Sequence, residues 1–155
     1  MTPIEERANT DVERAVALVE ETIEALGIDP RSSRNEREGH IAYALRRGSA
    51  RILIAVHSPS GDLTEGRIRV VAPVVVLPSA EQPALLRYLL EANATELVGA
   101  AFAISGQEVV VVTERSVGDL DASEVDTMIR TVGRVADRYD DQLSKTFELQ
   151  RSSDA

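Results

Sequence analysis

The sequence predicts an α+β domain in which helices flank a five-stranded antiparallel sheet. Apolar residues recur three or four positions apart in three segments, as they do in amphipathic helices. Five shorter segments alternate apolar and polar residues or run apolar between turn residues, as strands do. Two pairs of these strands are separated by two-residue loops that contain glycine, which is typical of antiparallel hairpins. The predicted order of elements is α-β-β-β-α-β-β-α.

The first helix is predicted over residues 11–26. Thr10 and Glu13 have the spacing of a capping box, in which a hydroxyl and a carboxylate each bind a free backbone N–H. Six apolar residues then form one stripe at helical spacing: Val12, Ala15, Val16, Val19, Ile23 and Leu26. Gly27 suits the left-handed conformation that often follows a helix. The polar segment 28–38 is predicted to be an exposed, mobile linker.

The first hairpin is predicted around Gly48 and Ser49 as the central residues of a type II′ turn. This loop pairs the bulky apolar residues on one face: Leu45 with Ile52, Tyr43 with Ile54, and Ile41 with Val56. The other face carries smaller residues and the pair His40 and His57. Because a slip of one residue would send the bulky residues to opposite faces, the pattern favours this register.

The third strand is predicted over residues 67–76, after a loop that carries turn residues. One of its faces is apolar throughout, and the other changes from arginine to apolar residues. Pro73 cannot donate to a strand ladder, so it predicts an edge position or a bulge.

The second helix is predicted over residues 81–94. Its apolar face consists of four leucines: Leu85, Leu86, Leu89 and Leu90. Two signals place its start differently, because Ser79 and Gln82 have capping-box spacing whereas Pro83 prefers the first helical turn.

A second hairpin and a last helix complete the predicted domain. A loop at residues 105–106 would pair Phe102 with Val109 and Ala101 with Val110. The last helix is predicted to begin after Asp121, which has Glu124 at capping-box spacing. Its core stripe comprises Val125, Ile129, Val132, Ala136, Tyr139 and Leu143. We therefore predict a single domain over residues 1–149 and a disordered polar tail over residues 150–155.

The composition argues against several classes of function. A formal net charge of -9 repels phosphate backbones, so nucleic acid is not an expected partner. The chain has no cysteine, which excludes disulfides and thiolate metal sites. No apolar run approaches the ~20 residues that a membrane span requires, so membrane insertion is not expected. The polar, acidic N-terminus lacks the pattern of a signal peptide, and we predict a cytoplasmic protein.

Motifs for catalysis, cofactors and metals are weak in this sequence. We find no phosphate-binding loop, zinc-protease motif or nucleophile elbow, and we predict neither an enzyme nor a cofactor. The pair His40 and His57, with Glu38 as a third candidate, could bind a divalent metal. The favoured interpretation is two half-exposed polar residues beside the hairpin loops, and we predict no metal site.

One acidic segment begins like a calcium-binding loop. Asp119, Asp121 and Ser123 have the required spacing, but Glu124 stands where the turn glycine is needed and Arg130 where the bidentate glutamate is needed. The favoured interpretation is a helix cap, with acidic residues at the positive end of the helix dipole.

Arginines cluster at two places. Arg67 and Arg69 lie on one side of the third strand, and Arg46, Arg47 and Arg51 lie near the first hairpin turn. They could contact a small anion or an acidic peptide. The favoured alternative is solvated charge on an edge strand, which prevents aggregation between sheets.

The strands carry apolar residues on both faces, whereas antiparallel sheets usually leave one face to water. Three helices cannot cover both faces, so a second subunit or a client segment is expected to cover the remainder. We predict six residues at this partner or dimer surface: Val71, Val75, Leu86, Leu90, Val110 and Val112. Self-association is the simpler of the two explanations, because symmetric dimers are the commonest oligomers.

Several short segments between residues 74 and 143 match those of a known family. They are Val76-Leu77-Pro78, Leu89-Leu90-Glu91-Ala92-Asn93, the stretch from Gly99 through Phe102 to Ile104, Leu120-Asp121 with Glu124, and Ala136-Asp137-Arg138-Tyr139-Asp140. In these segments the chain resembles the YbjN-domain family, whose fold is similar to that of the type III secretion chaperones. The resemblance implies a sheet flanked by helices, dimer formation, and a chaperone-like or regulatory role in a bacterial cytoplasm. It implies no catalytic residue.

These observations lead to one main hypothesis and two alternatives. The main hypothesis is a non-catalytic protein-binding domain, a homodimer that acts as a chaperone or adaptor for a client protein. The first alternative is a sensory or regulatory domain that binds a small ligand or a signalling protein, for which a concave pocket with converging polar groups is expected. The second is a metal-dependent enzyme that uses His40 and His57.

Overall fold

The computed structural model describes all 155 residues as three long helices, six strands and two short 3-10 turns. The helices are α1 (Pro3–Ala25), α2 (Pro83–Thr95) and α3 (Ala122–Phe147). The strands are β1 (Asn35–Arg37), β2 (His40–Arg47), β3 (Ala50–His57), β4 (Arg67–Val76), β5 (Ala101–Ser105) and β6 (Glu108–Ser116). They form one antiparallel sheet in the order β1-β2-β3-β4-β6-β5. The predicted α+β class is confirmed, with six strands instead of five.

None of the helices has both the length and the apolar character needed to span a bilayer.

The internal contacts of the chain group into two compact units. The first consists of Met1–Leu45, Leu53–Val70 and Glu114–Ile129. The second consists of Arg46–Ile52, Val71–Thr113 and Arg130–Ala155. The single domain expected over residues 1–149 stays a prediction.

In the first unit, α1 begins earlier than the sequence analysis predicts. Thr2 and Glu5 form the capping box: the Glu5 N–H donates to the Thr2 hydroxyl at 3.2 Å, and the Thr2 N–H donates to the Glu5 carboxylate at 2.7 Å. Thr10 lies inside the helix, where its hydroxyl donates to the Glu6 carbonyl. Both Thr-x-x-Glu segments could cap a helix, but only the earlier one has a proline, Pro3, at the first helical position, where proline is favoured. The predicted start was therefore wrong.

The predicted mobile linker contains a short strand. β1 pairs with β2, so that Asn35 lies opposite Ala42 and Arg37 lies opposite His40. Gly39 has a φ of +81° and makes the tight connection that this pairing requires. The segment was interpreted as a linker because it is polar, and a polar strand that is exposed along its length has no hydrophobic alternation to reveal it.

The predicted register of the first hairpin is confirmed. The rings of His40 and His57 stack with centroids 5.4 Å apart, and the Ser58 N–H donates to the Gly39 carbonyl at 2.9 Å. Both contacts require a two-residue loop at Gly48-Ser49, and Gly48 has the positive φ that such a loop needs. Of the six bulky residues predicted to share one face, Ile41 is half-buried and the other five are buried: Tyr43, Leu45, Ile52, Ile54 and Val56.

The second hairpin has a different register from the predicted one. Phe102 lies opposite Val111 and Ala101 lies opposite Val112, so the loop consists of Gly106 and Gln107. Gly106 has a φ of +58° and is the first loop residue, like Gly48 in the first hairpin. The prediction was wrong because it placed glycine second in the loop.

β4 lies between β3 and β6, so Pro73 does not lie on an edge strand, as one of the two predictions for it had stated. The last residues of β4 meet the C-terminal segment instead of solvent. The Val76 N–H donates to the Gln150 carbonyl at 2.8 Å, and Val75 forms an antiparallel bridge with Arg151. The segment predicted to be a disordered tail therefore has defined partners, because β4 is longer than β3 and leaves backbone groups free at its end.

Candidate functional site

Some apolar side chains of α2 are buried, and others are exposed to solvent. Leu85 and Leu89 are buried, whereas Leu86 is 39% exposed and Leu90 is 69% exposed. The four leucines predicted to form one apolar face are thus divided into a buried pair and an exposed pair. The exposed pair leaves apolar surface for another molecule to cover.

Asn93, in the last turns of α2, fixes the helix to β5. Its side-chain oxygen accepts a hydrogen bond from the Phe102 N–H at 2.7 Å, and its side-chain nitrogen donates to the Phe102 carbonyl at 3.2 Å. β5 is the last strand of the sheet and pairs with β6 on its other side. Asn93 therefore occupies the open edge of β5 at the position of Phe102.

The remainder of this edge is open to another strand. In an antiparallel ladder, alternate residues direct their backbone groups to the same side, so Ile104 faces the open edge as Phe102 does. β5 contains no charged residue and no proline, whereas β1, at the opposite end of the sheet, carries Glu36 and Arg37. Edge strands are commonly protected by such residues. β5 lacks this protection.

An apolar groove of about 310 Å³ lies between α2 and β5. Its lining residues are Leu86, Leu89, Leu90, Asn93, Phe102, Ala103 and Ile104. Only Asn93 is polar, and both ends of its amide are already hydrogen-bonded to Phe102. Ile104 is 51% exposed and forms part of the rim. The groove therefore offers apolar contact without the converging polar groups that orient a small polar ligand.

α3 supports the floor of this groove. Phe102 packs edge-to-face against Tyr139 with ring centroids 5.0 Å apart, and the Tyr139 hydroxyl donates to Glu96 at 2.8 Å. Burial and this hydrogen bond raise the pKa of Tyr139, so the phenol stays protonated and keeps its donor. The predicted core stripe of α3, which includes Tyr139, is buried along its length. The floor is therefore held by packing and by a satisfied polar group.

The six residues predicted at a partner surface have different environments. Leu86 and Leu90 line the groove, and Val71 and Val112 are half-buried on their strands. Val75 and Val110 are buried within the chain and are not available to a partner. For Val75 the reason is the bridge to Arg151 in the C-terminal segment.

The sequence analysis missed Asn93, Ala103 and Ile104 as groove residues. The signal for Ile104 was present, because a correct hairpin loop at residues 106–107 places it at the exposed end of an edge strand. Asn93 has no comparable signal in the sequence, since its bond to Phe102 is a tertiary contact.

In the first unit, His40 and His57 are neighbours as predicted, but the chain brings together no group of three or more histidine, cysteine, aspartate or glutamate side chains that could hold a metal. Glu38 therefore does not complete a site. Burial, the charge of Arg67 and the neighbouring His40 lower the pKa of His57. These conditions favour a neutral imidazole at position 57.

Two other polar clusters predicted in the first unit bind within the chain. Arg67 and Arg69 both donate to Glu114, at 2.8 and 3.0 Å. Burial acts to raise the pKa of Glu114, but these hydrogen bonds hold it below its usual value. Asp121 and Glu124 form the predicted capping box of α3, with backbone-to-carboxylate hydrogen bonds of 2.9 and 3.0 Å. The helix-cap interpretation of the acidic segment is confirmed.

A larger cavity of about 640 Å³ also lies in the first unit. It is bounded by the first turns of α1, including Ile4 and Ala8, and by the loop that carries Pro59 and Leu63. Its one ionisable side chain, Glu5, already accepts the capping hydrogen bond from Thr2. The cavity has no converging set of charged groups.

Several solved structures share this fold. The ExsC–ExsE complex has a chain that is 14% identical, with a TM-score of 0.58 over 84% of this chain and 93% of that chain. The HopA1–SchA chaperone–effector complex gives 10% identity and a TM-score of 0.55 over 82% and 93%. The ExoU–SpcU complex from the type III secretion system of Pseudomonas aeruginosa gives 15% identity and a TM-score of 0.54 over 79% and 94%. At these identities the likeness shows the fold alone, and it confirms the predicted similarity to secretion chaperones.

Comparison with curated proteins gives no match. One family does match in sequence, over residues 15–145, and its description is "Putative bacterial sensory transduction regulator". This match covers most of the 155 residues and includes both α2 and β5. The chain therefore belongs to the YbjN family.

Proposed function

We propose that this chain is a non-catalytic protein-binding domain, with a chaperone-like or adaptor role, that binds partner proteins at the groove between α2 and β5. The observation that carries this proposal is the position of an apolar groove beside a strand edge that Asn93 occupies at Phe102 and that carries no charged residue or proline. Extended segments bind such sites in two ways at once, because their backbones add to the sheet and their apolar side chains enter the groove.

The geometry limits how a segment binds. Asn93 already satisfies the backbone groups of Phe102, so strand pairing is restricted to Ile104 and the residues that follow it. Side chains of the bound segment then contact Leu86 and Leu90 on α2. The preferred partner is an extended segment with apolar residues at alternate positions and little charge.

We also propose that the chain forms a homodimer through the same surface when no partner protein occupies it. A two-fold axis brings identical patches together, so the exposed leucines of α2 would pack against their own copies. The similar structures are complexes, one of them of a chaperone with an effector, and this supports the proposal that the chain binds protein. A bacterial cytoplasmic location accords with this role.

The alternative is a regulatory domain that acts on a signalling protein or a small ligand. The family description favours it. A signalling protein would bind at the same groove as a client protein. Only a small ligand would require a different binding site. For that version the candidate is the cavity beside α1.

The test substitutes one groove residue and one matched residue outside it. Leu90→Asp places a charge in the groove, and Val98→Asp places the same charge at a residue that is 85% exposed and does not line it. Light scattering over a dilution series measures the mass, and a pull-down from bacterial extract measures captured proteins. We expect Leu90→Asp to weaken both dimer formation and capture, and Val98→Asp to leave both unchanged.

The two parts of the proposal can fail separately. A strictly monomeric mass of the wild-type chain at every concentration contradicts the homodimer. Equal capture of proteins by the wild-type chain and Leu90→Asp contradicts the groove as the binding site.

A further inference from the structure

A second, much smaller pocket lies at the first hairpin turn, in the second unit. Its volume is about 80 Å³, and it is lined by Arg46, Ser49, Arg51, Pro73, Ser152, Ser153 and Ala155. Two guanidinium groups and three hydroxyls therefore surround a space that has no assigned occupant. Nothing in the proposed protein-binding groove uses these residues.

The two arginines face each other across the hairpin. β2 ends at Arg47 and β3 begins at Ala50, so Arg46 and Arg51 are opposite one another on the same face. Like charges directly opposite in a sheet destabilise the pair. Arg46 has no carboxylate partner, and the nearest carboxylate to Arg51 is Glu108 at 3.9 Å. This positive charge is therefore only partly compensated within the chain.

Protection of an edge strand does not explain the charge of Arg51, whereas Arg46 lies on the part of β2 that continues beyond its pairing with β1. β3 lies between β2 and β4, so Arg51 is on an inner strand. Arg67 and Arg69, the other arginines considered at the sequence level, are paired with Glu114. Arg46 thus stands apart from them, because it has a free guanidinium group at a concave site.

The C-terminal segment contributes a second unusual feature. The hydroxyl oxygen of Ser152 is buried and has no hydrogen-bond partner. Buried polar groups are nearly always hydrogen-bonded, so this hydroxyl is available to bond a group that enters the adjacent pocket. The segment is held in place by Arg151, which pairs with Asp154 at 2.8 Å and Asp141 at 2.9 Å.

Of the acidic residues near the pocket, Asp141 and Asp154 are paired with a cation, whereas Asp137 and Asp140 accept hydrogen bonds from uncharged groups and keep their charge. Arg151 neutralises Asp154 and Asp141. The Ser49 hydroxyl is directed to Asp137 and Asp140, at 3.3 and 3.5 Å, so this serine is not a free donor. The free donors are the guanidinium group of Arg46 and the hydroxyl of Ser152, with Arg51 as a partly engaged third group.

We infer that this pocket binds a phosphate-class oxyanion through Arg46, Arg51 and Ser152. A guanidinium group matches the geometry of phosphate oxygens and can bind two of them at once. At about 80 Å³ the pocket is much smaller than the groove of about 310 Å³ beside β5 and the cavity of about 640 Å³ beside α1. It therefore suits a single phosphate group and is too small for a nucleotide. The group can be inorganic phosphate or the phosphoryl group of a partner's modified side chain.

The test measures binding of two probes to the full chain by calorimetry at constant ionic strength. The probes are inorganic phosphate and a short phosphoserine peptide, with the unphosphorylated peptide as a reference. We expect saturable binding of at least one probe. Tighter binding of the peptide indicates a modified partner as the source, and equal or tighter binding of inorganic phosphate indicates the free ion. Absence of saturable binding for both probes overturns the inference.

Matched variants show whether the pocket is responsible. Arg46→Gln removes a charge-assisted hydrogen bond and should weaken binding by about tenfold or more. Arg47→Gln makes the same change of charge at the next residue, which does not line the pocket, and should leave the affinity unchanged. Ser152→Ala should also weaken phosphate binding. In the absence of phosphate, the urea midpoint of this variant should equal or exceed that of the native chain. Equal losses in Arg46→Gln and Arg47→Gln would indicate general electrostatics and would overturn the site.

Discussion

Asn93→Ala is the substitution that most directly tests how α2 and β5 form one surface. In the native chain the Asn93 amide makes two hydrogen bonds to Phe102, at 2.7 and 3.2 Å. A typical internal hydrogen bond contributes about 0.5–1.5 kcal/mol, so the pair accounts for roughly 1–3 kcal/mol of unfolding free energy. The edge of β5 is open, so water can replace part of the lost bonding, and the loss should not exceed this range.

Urea unfolding measures the predicted loss. With a denaturant slope of about 2 kcal/mol/M, a loss of ~2 kcal/mol lowers the midpoint by about 1 M with little change in slope. Thr95→Ala is the matched control, because the Thr95 hydroxyl bonds only to the Glu91 carbonyl of its own helix. It should change the unfolding free energy by less than about 0.5 kcal/mol.

Hydrogen exchange gives an independent measure of the same contact. The Phe102 amide is bonded to Asn93 and not to β6, so it should lose protection in Asn93→Ala while the amide of Ala103 keeps it. A stability loss below about 0.5 kcal/mol, together with an unchanged Phe102 amide, would show that Asn93 does not hold this edge. The proposal that Asn93 prevents a bound segment from pairing with Phe102 would then be incorrect.

Two further predictions concern stability. Leu89→Ala should cost about 2–5 kcal/mol, as other truncations of buried leucines do, because Leu89 lies in the buried part of α2; a urea midpoint close to that of the native chain would contradict its place in the core. The lowered pKa of His57 means that the folded state favours the neutral ring. Stability should therefore be fully present above the ordinary histidine pKa of about 6.5 and should fall as the pH drops below it. His57→Gln should reduce this acid sensitivity below about pH 6.5, and an unchanged pH profile of the urea midpoint would refute the assignment to His57.

Local patterns predicted several elements correctly, because the physical cause of each lies within a few residues. Asp121 and Glu124 cap α3 through contacts three residues apart, and the sequence contains both partners. The first hairpin was predicted in register because bulky residues alternate on both strands and only one pairing places them on one face. The second hairpin lacks this constraint, since β6 is apolar on both faces over residues 109–112, and the loop alone could not decide between two registers.

The predicted partner surface stays a prediction, and its six residues differ in burial. Helical spacing placed Leu86 and Leu90 on the apolar face of α2. It could not show which leucines of that face are buried by the rest of the chain. Val75 and Val110 lie in strand segments that are apolar on both faces, and both are buried. The Val75 bridge to Arg151 crosses 76 positions of sequence, as the two residue numbers show, and no local pattern reports such a contact.

The sequence by itself determined the α+β class, the helix stripes, the caps and the absence of any familiar catalytic motif, because these depend on spacing, composition and short-range chemistry. Only the tertiary structure decided which strand is left at the edge of the sheet, where Asn93 closes that edge, and how the C-terminal segment meets β4. These features depend on contacts between residues that are distant in the chain. The two candidate sites, the groove beside β5 and the arginine–serine pocket, arise from such contacts, so their existence followed from packing and not from any sequence motif.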